Sequence, residues 1–93
     1  MKNWDFSTAL TELKAGERVS REGWNGKRMF IYLVGPGRYP PSTPSGDAIA
    51  EQQPDNLVPY RPYLAMKTVD GDVVPWAATQ TDLLADDWGP GAN

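Results

Sequence analysis

Phe6, Leu10 and Leu13 recur at i, i+4 and i+7, with Ala9 beside them, a spacing that predicts an amphipathic helix over "DFSTALTELKAGE". Asp5 or Ser7 stands where the helix would be capped, and Gly16 where a left-handed residue would end it. The apolar face of this helix is expected to pack on a sheet. "ERVSREGWNGKRMFIYLV" reads as a β-hairpin with Asn25-Gly26 at its turn. From Met29 to Val34 every residue is apolar or aromatic, which predicts a strand covered on both faces, with a second subunit as one cover. "YRPYLAMKTVDGDVVPW" gives a second hairpin turning at Asp70-Gly71, with Pro75 marking an edge strand or a strand end.

Between the hairpins the periodicity lapses. Residues 35–59 hold six of the nine prolines and three glycines, and read as one long loop, of a length that is usually functional or mobile. After Pro75, "AATQTDLLADDW" predicts a turn and then a short helical turn begun by Thr81 and Asp82, with Leu83 and Leu84 buried. Residues 89–93 read as a loose tail. The expected architecture is α+β: a small antiparallel sheet of two hairpins, one N-terminal helix, and a long proline-rich loop. At 93 residues the chain is read as a single domain, 1–93.

Composition narrows the chemistry. The chain has neither cysteine nor histidine. Disulfides, thiolate metal sites, imidazole bases and Ser-His pairs are therefore excluded. No metal site and no cofactor is expected. No stretch approaches the roughly 20 apolar residues of a membrane span, and the N-terminus lacks the apolar core of a secretory signal. A cytoplasmic protein without a membrane partner is the expectation. Residues 1–69 carry nine bases against seven acids, whereas residues 70–93 carry five acids and no base. The net charge of −3 argues against duplex nucleic acid as a partner. A small anion held by one or two arginines is compatible with it.

The chemistry-bearing residues fall in two places. Trp24, Asn25 and Arg28 cluster near the first turn: either Trp24 offers a stacking face and Arg28 a fork for phosphate, or Trp24 caps the sheet and Arg28 is solvated. Trp76 stands where a strand stops, and either closes the core or lines a cleft. Thr79, Gln80, Thr81 and Asp82 follow at once. These types suit the reading of hydroxyls and base edges better than bond cleavage, and also suit a plain turn and helix cap. Asp82, Asp86 and Asp87 invite a magnesium reading, but acid runs are usually solvated faces.

"REGWNGKRMFIYLV" followed by "YRPYLAMKTVDGDVVPWAATQTDLLADDW" resembles the anti-Thoeris sponge family, Thoeris anti-defence protein 2. The shared pattern is a Gly-Trp-Asn-Gly-Lys turn, a Met-Lys-Thr-x-Asp-Gly hairpin, a Val-Pro-Trp and a closing Asp-Leu-Leu-Ala-x-Asp-Trp. The likeness spans nearly the whole chain apart from 35–59 and the tail. It implies a phage protein, not an enzyme, acting in the cytoplasm of the infected host. Such a protein would sequester a cyclic nucleotide immune signal, chiefly glycocyclic ADP-ribose and in some members cyclic di- or trinucleotides, and release it unchanged on denaturation. It further implies a homotetramer with pockets between subunits. The motif positions carried over are Trp24, Asn25, Trp76, Gln80 and Asp82. Arg28, Arg61 and Thr79 join them on chemical grounds, the arginines for pyrophosphate and the threonine for ribose. Ala78 stands where relatives often show a small polar residue, and the 35–59 segment has its own composition. Two other classes are carried beside this one: an enzyme using Asp82, Asp86 or Asp87, and a protein-interaction module built on exposed tryptophans.

Overall fold

The computed structural model describes residues 3–24 and 28–91. Asn25, and with it the expected Asn25-Gly26 turn, lies outside the described residues. The fold is α+β: a five-stranded antiparallel sheet crossed on one face by an N-terminal helix, with a smaller two-stranded arm.

Helix α1 (Phe6–Lys14) forms as its spacing predicts. Asp5 is the N-cap, accepting from the Thr8 N–H at 2.9 Å, and Gly16 ends the helix with φ of 94°. Ala9 and Leu13 are fully buried against the sheet. Strands β1 (Val19–Arg21) and β2 (Phe30–Val34) pair antiparallel with Val19 opposite Ile31. Residues 22–29 connect them, and this connection begins with a 3₁₀ turn at Glu22–Trp24. That turn is drawn away from β2 by residue 87: the Glu22 N–H donates to the Asp87 carbonyl and the Gly23 N–H to the Asp87 carboxylate, each at 2.9 Å.

Strands β5 (Tyr63–Lys67) and β6 (Val73–Pro75) form the second hairpin around Gly71, whose φ of 95° suits glycine. Strand β6 lies on the sheet edge, as Pro75 requires. Strand β7 (Trp88–Pro90) occupies the other edge. The expected loose tail is thus a strand through residue 90. Arg21 pairs with Trp88, Ser20 with Gly89 and Val19 with Pro90, so β7 satisfies donors and acceptors that β1 would otherwise leave bare. The sheet order is β6-β5-β2-β1-β7.

Residues 35–59 are not one irregular loop. Strand β3 (Gly37–Tyr39) pairs with β4 (Val58–Tyr60), and helix α2 (Pro44–Ala50) lies between them in sequence. The signals were local rather than periodic: Thr43 caps the Gly46 N–H at 3.0 Å and Pro44 occupies the first helical turn. Arg38 clamps the far end, with Nε and Nη2 on the two Asp55 oxygens at 2.5 and 2.7 Å and Nη2 also on Gln53 Oε1 at 3.1 Å.

The core is Ala9, Leu13, Val19, Ile31 and Trp88, all fully buried on the α1 side of the sheet. Ile31, Leu64 and Met66 share that face by strand alternation. Phe30, Tyr32 and Val34 point to the opposite face and are only half-buried within the chain.

Candidate functional site

Three tryptophans organise the site. Trp88 sits at the centre, held by its backbone in β7, by reciprocal backbone hydrogen bonds with Trp4 at 2.8 and 3.1 Å, and by its indole N–H on the Asp82 carbonyl at 2.9 Å. Trp24 meets Trp88 edge-to-face at 5.4 Å, and Trp76 meets it edge-to-face at 6.0 Å. Phe6 of α1 touches both Trp88, at 5.3 Å, and Trp76, at 6.2 Å. Trp24 and Trp76 thus lean on a common buried ring, each half-buried with part of its surface open. Neither presents the fully exposed indole that a protein-docking hot spot on tryptophans would offer.

On the Trp76 side lies an open pocket of about 610 Å³, lined by Tyr60, Arg61, Tyr63, Leu64, Pro75 and Trp76. Three aromatic rings and one guanidinium in a concavity of this size suit a planar heterocycle joined to an anion. The pocket exists because the Trp76 N–H donates to the Leu64 carbonyl at 3.0 Å, extending the β5–β6 ladder by one residue, while β4 delivers Tyr60 and Arg61 from the arm. Tyr60 itself meets Tyr39 with ring centres 5.7 Å apart and planes tilted by 36°.

On the Trp24 side the arrangement is polar. Helix α3 (Gln80–Leu84) begins two residues earlier than its sequence suggested, with Thr79 as N-cap in a capping box. The Thr79 N–H and hydroxyl both donate to Asp82 Oδ2 at 3.0 Å, and the Asp82 N–H donates to Thr79 Oγ1 at 3.1 Å. Asp82 is the residue this helix turns inward, with its carboxylate on Arg21 and its carbonyl on the Trp88 indole, and Leu83 and Leu84, expected to be buried, are 46% and 79% exposed. Gln80 is exposed at the first helical position.

Arg21 links this segment to the Trp24 turn. Its Nη1 meets Asp82 Oδ1 at 2.9 Å and its Nε meets Asp87 Oδ1 at 2.8 Å. The Arg21 and Asp82 side chains are only 17% and 13% exposed, so water screens the pair less than it would on an open surface. The Asp87 hydrogen bond raises the Arg21 pKa further, and Arg21 in turn holds Asp87 below the usual carboxylate range. For Asp82, burial pushes the pKa up, but hydrogen bonds from Thr79 and Arg21 outweigh it and leave the group lowered. Ionised, paired carboxylates of this kind are poor proton acceptors at neutral pH. Asp86 is exposed, and among the described residues no group of three acids is placed to share a cation.

The expected site residues therefore divide. Arg61 and Trp76 share the pocket; Trp24, Thr79, Gln80 and Asp82 belong to the polar side around Arg21. Arg28 lies at the opposite end of β2 from Val34 and Tyr63, roughly 20 Å away along the strand. There it is exposed with φ of 58°, and its carbonyl accepts from Lys67 Nζ at 3.1 Å. Sequence reasoning missed Tyr60, Tyr63 and Arg21. For the tyrosines the signal was an arginine flanked by aromatics in "YRPY". For Arg21 it was the C-terminal stretch of acids without a base, which needs a cation from elsewhere in the chain.

The fold is thus a small α+β unit with an aromatic pocket around one arginine and tryptophans buttressed from the core. The chain belongs to the Tad2-like family: the profile described as the Thoeris anti-defense 2-like domain matches residues 4–89. It is also 36% identical to Thoeris anti-defense 2 of Bacillus phage SP01, an alignment covering 89% of each chain. No helix among the described residues is long and apolar enough to cross a membrane.

Proposed function

We propose that this protein is a phage anti-defence sponge that binds a cyclic nucleotide immune signal in the host cytoplasm and withholds it without degrading it. Glycocyclic ADP-ribose is the leading ligand, with cyclic di- and trinucleotides as further candidates. The observation that carries the reading is the pocket of Tyr60, Arg61, Tyr63 and Trp76, in which a base would stack and a pyrophosphate would meet the guanidinium. Trp24, Thr79, Gln80 and Asp82 would contribute along the polar side, through backbone and remaining lone pairs as well as side chains, and Asn25 is a further candidate from the sequence motif alone.

A homotetramer fits this reading. The half-buried Phe30, Tyr32 and Val34, with exposed Tyr63 and Val73 on the same face, form a surface that another copy would cover. Within one chain Arg28 lies roughly 20 Å from the pocket along β2, so a part for it in binding requires a second copy. The enzyme reading is disfavoured by the pairing of Asp82 and Asp87 with Arg21, which leaves no raised-pKa carboxyl among them to act as a base.

The test is capture and release. Protein and glycocyclic ADP-ribose are mixed near one-to-one and filtered, and free ligand is measured before and after heat denaturation. Sequestration predicts ligand that disappears and returns intact. Ligand consumed at sub-stoichiometric protein would establish an enzyme instead, and ligand left free across the whole cyclic nucleotide panel would sink the proposal.

A further inference from the structure

One guanidinium stands between two segments that carry candidate ligand-binding residues, and it reaches each through a carboxylate with both oxygens in use. Along one arm, Arg21 Nε holds Asp87 Oδ1, and Asp87 Oδ2 accepts the Gly23 N–H at 2.9 Å, next to Trp24. Along the other, Arg21 Nη1 holds Asp82 Oδ1, and Asp82 Oδ2 accepts both the N–H and the hydroxyl of Thr79, next to Gln80. The approach at Gly23 is close: a Cβ there would lie 3.2 Å from Asp87 Oδ2 and 3.8 Å from an Arg21 nitrogen. A side chain there would push the Asp87 carboxylate back by a few tenths of an ångström.

The segments joined this way are far apart in sequence; besides Arg21 they meet through Trp88, which touches the Trp24 ring and donates its indole N–H to the Asp82 carbonyl, and through the Glu22 N–H on the Asp87 carbonyl. The Glu22–Trp24 turn is a single 3₁₀ turn, and α3 is a helix of five residues. Neither length is stable by itself. A lysine could satisfy the charge but not the geometry, because only a planar fork can address two carboxylates from fixed directions.

We infer that Arg21 is a positioning residue for ligand recognition: through Asp87 and Asp82 it locks the Trp24 turn and the Thr79–Gln80 segment into one rigid wall. As a contribution to binding, this rests on the proposed nucleotide reading. As a statement about the fold, it does not. Arg21 itself touches no ligand in this scheme; it acts by holding the groups that do.

The experiment uses the full chain with Arg21→Lys, and with Asp87→Asn as the milder variant that cuts only the arm to Gly23. Folding is checked by far-ultraviolet circular dichroism. Indole N–H resonances are followed without ligand, and affinity for glycocyclic ADP-ribose is measured by calorimetry in a cycle with Trp24→Ala and with Trp76→Ala. The expected result is a Trp24 indole resonance that shifts or broadens in both variants while that of Trp76 stays in place. Affinity should fall roughly tenfold in Arg21→Lys, the scale of one lost contact. That loss should vanish in the Trp24→Ala background and persist in the Trp76→Ala background. A structural role alone would lower thermal stability and multiply equally with both tryptophan changes, which would overturn the inference. An unmoved Trp24 resonance would overturn it too. If wild-type protein binds no nucleotide in the panel, the proposed function fails, and the ligand-free spectra still decide whether Arg21 positions Trp24.

Discussion

Replacing Trp76 with alanine separates the two jobs of one side chain. Part of the indole packs on Phe6 at 6.2 Å and on Trp88 at 6.0 Å, and the rest lines the pocket with Tyr60, Arg61 and Tyr63. Each aromatic pair is worth about 0.5–1.5 kcal/mol beyond area burial, so losing both costs about 1–3 kcal/mol, with a further contribution from the half-buried surface. A domain of 93 residues has a total stability of roughly 5–14 kcal/mol at 0.05–0.15 kcal/mol per residue. The variant is therefore expected to fold, with a lowered urea midpoint. On the proposed nucleotide reading, loss of the open face removes one base stack, about 1–3 kcal/mol, which converts to an affinity roughly 5- to 150-fold weaker. Urea unfolding followed by circular dichroism gives the first quantity, and calorimetric titration with glycocyclic ADP-ribose gives the second. Trp76→Phe provides a second point, retaining most packing and part of the stack, and should fall between wild type and alanine on both scales. A folded Trp76→Ala protein with unchanged affinity would refute the assignment of this pocket, whatever its stability.

Two further outcomes follow from the geometry. Trp88→Phe leaves the Asp82 carbonyl without its indole donor and opens a void at the centre of the aromatic cluster. A loss of about 2–4 kcal/mol by urea denaturation is expected, and a loss below about 1 kcal/mol would show that the cluster does not carry the core. In the arm, Arg38 holds the Asp55 carboxyl down to about 2. Its folded pKa lies below its unfolded value, so the clamp stabilises the arm above about pH 4 and is lost as pH falls toward 2. Carbon-13 titration of the Asp55 carboxyl should show this midpoint, and Arg38→Met should raise it, with the Leu57 N–H still holding it below the free value; an unchanged midpoint in that variant would refute the clamp.

Some of this was legible from residue order. Helix α1, its Asp5 cap and its Gly16 stop are local matters of spacing and backbone chemistry, and the structure reproduces them. The β5–β6 hairpin at Gly71 and the edge position imposed by Pro75 are local in the same sense. The motifs around Trp24 and Trp76 pointed to the family to which the chain belongs. Three features depended on partners distant in sequence. Strand β7 looked like a loose tail because "WGP" has no strand pattern; it becomes a strand because β1 has open hydrogen-bonding groups and Trp88 has a core to enter. Leu83 and Leu84 looked buried because apolar pairs usually are. Asp82 takes the inward position instead, held by Arg21 and by the Trp88 indole, and both leucines face solvent. The pocket belongs to the same class. Tyr60 and Arg61 meet Trp76 only because β3 and β4 fold the proline-rich segment back against the end of the β5–β6 ladder. Local propensity specifies an element through bonds to near neighbours. What faces what is decided where burial and unpaired polar groups find partners across the chain.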